Sequence, residues 1–525
     1  MRDFTKPGRS AVFANNGMCA TSHPLAAKVA VGILEQGGNA ADAAIAGAVL
    51  LGLCEPQMTG IGGDMFVLMT PPGSDAVLAL NASGRTPRGL DAEALRAQGL
   101  TRMRAGGPES VSIPGAVDGF CRLSQDWGRL SLKEVLAPAI HYAEAGVPVA
   151  PRVARDWAVY EGNLQGRARE LFLLDGAAPR VGQSFRAPGQ AEVLRRIAGH
   201  GREAFYEGEV AADMVASLAA LGGTHTAEDF AATRADWVTP IKGSYGGLDL
   251  YEHPPNGHGA TAILLLNILK HFDLRQMDPF GAERAHLEAE ATKLAYDARD
   301  RFLADADHTT RLDHMLASET AAQLAALIDL DRALPVGRPE VDAVHKETIY
   351  ITVVDRDRMA VSLIYSIFDD FGSGIASDRF GILLHNRAKG MSLTPGHPNE
   401  AGPAKRPMHT IIPGMLKQNG KLIMPFGVMG GPYQPAGHAR FVTNITDFGM
   451  APQAAIDAPR SFAYDGKLRI EGTYGDAVIA QLAAKGHSVF GFDDPMGGAQ
   501  AIRIHDNGVL EGASDPRKDG CALGY

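Results

Sequence analysis

Cysteine is scarce: four in 525 residues, Cys19, Cys54, Cys121 and Cys521, with no CxxC or metal-ligand spacing. A secreted disulfide scaffold carries a denser set. Cys54 lies in an apolar run and reads as a small buried hydrophobe. Basic charge is also short. The formal net charge is −10, and nucleic-acid binders carry a basic patch or run. The pair Arg195-Arg196 is too short to be one and reads as solvated helix surface. No stretch of about 18 apolar residues occurs, so no membrane span is expected. The opening residues MRDFTKPGRSAVFANNG have no apolar core behind their basic residues. A signal peptide is therefore not expected, and a cytoplasmic location is.

Several catalytic signatures are missing too. HExxH and GxSxG are absent. GIGGD (60–64) lacks the Lys-Ser/Thr of a phosphate loop and precedes a strand instead of a helix. DFG occurs at 370–372 and 447–449 without the HRD of a kinase catalytic loop. The histidines are scattered. Neither a metal nor another cofactor is expected.

What is present is ordinary globular composition, 45% hydrophobic and 21% charged, with 61 glycines that favour tight turns and close packing. Residues 24–54 read as two Ala-rich buried helices broken at Gly37-Gly38. Residues 58–69 form a glycine turn feeding a strand. LKEVLAPAIHYAEAG reads as a helix closed by Gly146. Residues 286–305 set Leu287, Ala291, Leu294, Ala295, Ala298 and Phe302 on one face of an amphipathic helix. After a Pro- and Gly-broken linker before residue 348, TIYITVV (348–354) and AVSLIYSI (360–367) form a strand hairpin. A helix-rich first part and strand-rich last part fit a layered α/β architecture.

A threonine opening a strand, such as Thr348, is by itself a common β-former. Its surroundings single it out. GGNAADAAIAGAVLLGLCEPQMTGIGGDMF, GPESVSIPGAVDGF (107–120), HLEAEATKLAYDARDRFLAD, TIYITVVD (348–355), FGSGI (371–375), GILLHNR (381–387), AKRPMHTIIP (404–413), GVMGGP (427–432) and DPRKDGCALGY (515–525) follow one another in an order and spacing that resemble the γ-glutamyltransferase family. The resemblance covers nearly the whole chain. It implies the four-layer αββα sandwich of N-terminal-nucleophile hydrolases, made as one precursor. It further implies cleavage between Glu347 and Thr348, giving a large subunit (1–347) and a small one (348–525) that together form one unit. Thr348 would be the nucleophile, its freed α-amine the base. Gly430 and Gly431 match the oxyanion-holding Gly-Gly pair; a plain glycine turn is the other reading. Ser366 matches a threonine that hydrogen-bonds the nucleophile, or is an ordinary strand hydroxyl.

The substrate pocket departs from the family. Phe368, Arg387 and Gly390 stand where the family has the Asn, Gln and Asp that hold an α-amino group. His409-Thr410 replaces a pair of serines. The family's carboxylate-clamping Arg falls on Ser83, with Arg85 two residues on, and the family's TTH is TIY here. The carboxylate that would meet an ammonium is thus lost at Gly390 and a guanidinium arrives at Arg387, which repels an ammonium and attracts an acid. The set FDDFGSG, HNR and MHT is similar to the oxamate amidohydrolase branch. The expected substrate is the amide of a small anion, oxamate first, bound by Arg387, His409, Thr410, Phe368 and Arg85. Three alternatives stay open: Asp369 or Asp370 restores γ-glutamyl hydrolase or transferase activity, Arg387 is a structural ion-pair partner, or the chain is a non-catalytic binding relative.

Overall fold

The computed structural model describes residues 8–335, 348–492 and 495–525, with the side chain of Phe492 also set aside. Two seven-stranded antiparallel sheets form its centre. One orders its strands Cys521–Gly524, Met18–Thr21, Ile349–Val354, Ala360–Ser366, Asp64–Thr70, Leu78–Ala82 and Asp236–Val238. The other runs Val12–Ala14, Leu510–Ser514, Gly498–Ile504, Lys421–Met429, Gly414–Gln418, Leu248–Glu252 and Ile241–Tyr245. Segments from both ends of the chain interleave in each sheet, so the expected division into a helical first part and a stranded last part is too simple.

Strand alternation explains the layers. In the first sheet Ile349, Ile351 and Val353 join a core shared with the helices Pro24–Glu35, Ala40–Cys54 and Leu132–Ala145. The alternate residue Val354 faces the second sheet, packing with Leu68, Met415 and Ile502. Tyr350 packs with Phe66 and Met429 in the same interlayer space. The helices Gly259–Leu269, Ala282–Phe302 and Gln434–Thr446 cover the outer face of the second sheet. The result is the expected αββα sandwich. Both faces of the central strands are buried, which is why apolar residues run on both.

The predicted helix pair is observed, with the break at Gly37, whose φ is +97°. Gly146 caps Leu132–Ala145 at φ +104°. One expectation needs correction. The helix Ala282–Phe302 is buried on more than its apolar face: Arg284, His286, Glu288, Glu290 and Arg299 are also inside. Its polar side is covered by the segment Ser461–Ala484 and by residues 329–334, with Arg284 stacked on Phe448.

Close approach fixes the strand that precedes the site. A Cβ on Gly63 would lie 2.4 Å from the carbonyl oxygen of Ser366, which is backbone and cannot swing away. Gly63→Ala is expected to lower stability by about 1–3 kcal/mol, as overpacking does, with Ser366 displaced. Thermal unfolding of the variant checks this; an unchanged midpoint would contradict it.

Candidate active site

Three polar side chains line up across neighbouring strands. Ile349 pairs with Tyr365, which sets Thr348 opposite Ser366, and Ser366 pairs with Asp64 on the other side. Residues 349, 365 and 65 face the helices, so by alternation Thr348, Ser366 and Asp64 face the space between the sheets. All three are buried. The Thr348 hydroxyl donates to Ser366 Oγ at 3.3 Å, and the Phe368 N–H donates to the same oxygen at 2.9 Å. Glu347 lies outside the described residues.

Gly430 and Gly431 follow directly on the strand Lys421–Met429, with φ of +122° and +53°. That strand faces the Thr348 hairpin: a Cβ on Gly427 would stand 2.4 Å from the Tyr350 ring. The positive φ values are ones that only glycine adopts without strain.

Asp64 is the hub of the interior. Its Oδ1 accepts N–H bonds from Gly84 (2.9 Å) and Gly115 (3.1 Å), and its Oδ2 lies 2.7 Å from His409 Nε2 and 3.2 Å from His385 Nδ1. Burial alone would raise this carboxyl, yet the nearby His385 and the hydrogen bond from His409 hold it well below the usual carboxylate range. His409 is pushed down to about 4 by burial and by Arg387, so its neutral ring gives the Nε2 hydrogen to Asp64. Its Nδ1 lies 3.1 Å from Asn256 Nδ2 and 2.8 Å from the Pro407 carbonyl. Both His409 nitrogens are thus engaged by protein groups.

Arg387 is wholly buried. One guanidinium nitrogen, Nη1, donates to Thr410 Oγ1 at 3.2 Å, and the plane stacks on the Phe368 ring at 4.3 Å. Its Nε and Nη2 have no hydrogen-bond partner among the described residues. Burial lowers its pKa to about 10, against the pull of Asp64 and Asp369, so it is cationic at neutral pH. Phe368 is held at φ +78°, an unusual value for a bulky residue. Its N–H bond to Ser366 therefore joins the Thr348 hairpin to the residue on which Arg387 rests. Gly390 lies beside the same ring: a Cβ there would stand 3.8 Å from it.

Asp369 accepts from Lys389 Nζ at 2.7 Å and from Asn386 Nδ2 at 2.9 Å. Asp370 is buried, and burial, with Asp156 and Asp369 nearby, raises its carboxyl pKa well above the usual range. Arg85 is half-exposed and paired with Asp305 at 3.0 Å. Ser83 is buried against Asn81 and Asn256.

Asp64, His385 and Asn256 carry this network, and the sequence reading did not single them out. Asp64 sat within GIGGD, where the failed phosphate-loop reading drew attention to the glycines. His258, preceding the helix Gly259–Leu269, was also missed; burial foremost, then Arg299, His438 and Arg387, hold it neutral.

This architecture, an αββα sandwich with a polar row at its strand ends, is that of the N-terminal-nucleophile hydrolases. The Gamma-glutamyltranspeptidase family profile matches residues 26–525, and the chain belongs to that family. It is 37% identical to the glutathione hydrolase-like YwrD proenzyme of Bacillus subtilis, over 98% of this chain and 99% of that one. It is 35% identical to the oxamate amidohydrolase proenzyme of Klebsiella pneumoniae, again over 98% and 99%. Cephalosporin acylase from Bacillus halodurans superposes with a TM-score of 0.93 at 37% identity, covering 100% of this chain and 99% of that structure.

Burial also depresses the pKa of His23 to about 4 and that of His253 to about 3. With His409, these groups bind fewer protons folded than unfolded, where histidine titrates near about 6.5. The stability they contribute is fully present above that value and is lost as pH falls through about 4. The melting temperature is expected to decline steadily from about pH 6.5 to 4. A flat profile over that window would contradict the neutral assignments.

Proposed function

We propose that this protein is a self-processing threonine amidohydrolase that cleaves the amide of a small anion, with oxamate the leading candidate. The observation that supports the reading is Arg387, a buried cation with two nitrogens that have no hydrogen-bond partner among the described residues, beside the Thr348 row. An unmatched buried charge costs several kcal/mol, and a substrate carboxylate supplies the missing partner. Asp369 is a poor partner for an incoming ammonium, since Lys389 and Asn386 already meet its Oδ2 and the Lys389 ammonium would repel a second one. Burial, with Asp156 and Asp369 nearby, raises the Asp370 carboxyl well above the usual range and so disfavours its anionic form. Both features weigh against restored γ-glutamyl recognition.

Processing would begin with Thr348 Oγ attacking the Glu347 carbonyl carbon. The peptide C–N bond breaks, an ester forms, and the nitrogen becomes the Thr348 α-amine. Water then hydrolyses the ester. A free α-amine has a pKa of about 7.7–8.0 and is partly neutral at working pH. In turnover it takes the hydroxyl proton as Oγ adds to the substrate amide. N–H groups of Gly430-Gly431 would hold the oxyanion, each such donor worth roughly 2.7–4 kcal/mol. The amine returns the proton to the leaving nitrogen, ammonia departs, and water cleaves the acyl ester to give the diacid. Ser366 holds the Thr348 hydroxyl, and Asp64 with His409 holds the Thr410 segment that fixes Arg387. In this reading His409 positions the pocket instead of touching substrate, and Arg85, tied to Asp305, lies outside it.

The similarity to an acylase supports a second reading, a larger amide whose acyl part still ends in a carboxylate. Ammonia or amine release should be measured from oxamate, small acid amides, glutathione and a cephalosporin amide. Acid amides are expected to lead. Arg387→Gln should raise KM for an acid amide roughly 10–150-fold, the equivalent of about 1.5–3 kcal/mol, and leave a neutral amide nearly unchanged. Equal effects on both, or preference for glutathione, would overturn the anion pocket.

A further inference from the structure

Outside the active site, three potential metal-binding side chains converge. His286 and Glu290 stand four residues apart on the helix Ala282–Phe302 and so share a face. His487 comes from the turn after the helix Asp476–Ala484, one residue beyond Gly486 at φ +96°. All three are buried, and one nitrogen or oxygen from each lies within 4.8 Å of the others.

The hydrogen-bond pattern shows which lone pairs are available. His286 Nε2 lies 2.8 Å from the Asp329 carbonyl, an acceptor only, so that nitrogen carries a hydrogen, and the neutral ring then has its lone pair on Nδ1. This Nδ1 faces His487 Nε2 at 2.7 Å, and His487 Nε2 lies 3.8 Å from Glu290 Oε1. A metal-binding histidine usually gives its other N–H to a carbonyl or carboxylate, as His286 does to Asp329. Glu290 is held from outside by the Leu334 N–H on Oε2 and by Lys293 Nζ on Oε1, each at 2.7 Å.

We propose that His286, Glu290 and His487 form a binding site for a zinc-class divalent cation. Two imidazoles and a carboxylate suit that borderline class, and a water completes the tetrahedron. Zinc–nitrogen bonds of about 2.0–2.1 Å require the two imidazole nitrogens to stand about 3.3 Å apart. The His487 turn must therefore move out by roughly 0.6 Å to admit the ion. Two ligands precede residue 347 and the third follows it. If the chain is cut as proposed above, the ion bridges the two subunits; that consequence rests on the scission reading, and metal binding does not.

The competing arrangement is a plain hydrogen bond from His487 to His286. His487→Gln separates them, because an amide N–H can still donate to His286 while glutamine is a poor zinc ligand. Chelator-treated wild type and Thr348→Ala should each bind one zinc per chain by calorimetric titration, and cobalt should give a tetrahedral absorption spectrum in both. His487→Gln should keep the metal-free melting temperature and weaken zinc binding at least about 10-fold. Zinc binding that is absent, or unaffected by His487→Gln, overturns the site. Chelation should loosen subunit association only in cut protein. Zinc binding in a wild type that stays one chain would sustain the site and remove the bridging role.

Discussion

The antiparallel register of the hairpin Ile349–Val354/Ala360–Ser366 against Asp64–Thr70 is the constraint on which the site depends. It sets Thr348, Ser366 and Asp64 side by side, and strand alternation turns all three toward the interlayer space. A one-residue slip would send each to the helix-covered face. The apolar residues between them, Ile349, Tyr365 and Met65, are wholly buried on the other face, so a slip would also bring polar groups into that core. Hydrophobic burial thereby holds the polar row in place.

Around this row the charges form a graded interior. Asp64 is anionic and saturated by donors, His409 is neutral, and Arg387 is cationic with donors to spare. Phe368 couples the parts, since its N–H reaches Ser366 while its ring carries the guanidinium. One loop residue at positive φ thus touches both the Thr348–Ser366 pair and the buried guanidinium.

Much of the layer architecture was legible because it follows from periodicity. The Ala-rich pair at 24–54, the hairpin after residue 348 and the helix closed by Gly146 each carried a local signal. The family blocks supplied the order in which these pack. The buried polar face of Ala282–Phe302 was not legible, because arginine, histidine and glutamate at helical spacing look the same on a solvated face as on one covered by a distant segment. Asp64 was hidden for a similar reason: its partners His385 and His409 lie more than 300 residues away and meet it only in the folded sheet. The loss of the amine-binding carboxylate at Gly390 and the arrival of Arg387 were readable from the sequence. That its charge has two open donors was not, because Lys389 and Thr410 could each have altered the balance.

The central claim is that a scission before Thr348 makes the nucleophile and that this residue carries the acyl group during turnover. Rapid acid quenching of the protein with oxamate, followed by intact mass measurement, tests it most directly. Two chains are expected, the smaller beginning at Thr348 and heavier by one acyl group in the quenched sample. An active protein that runs as a single uncut chain, or an acyl group found on any other residue, would contradict it.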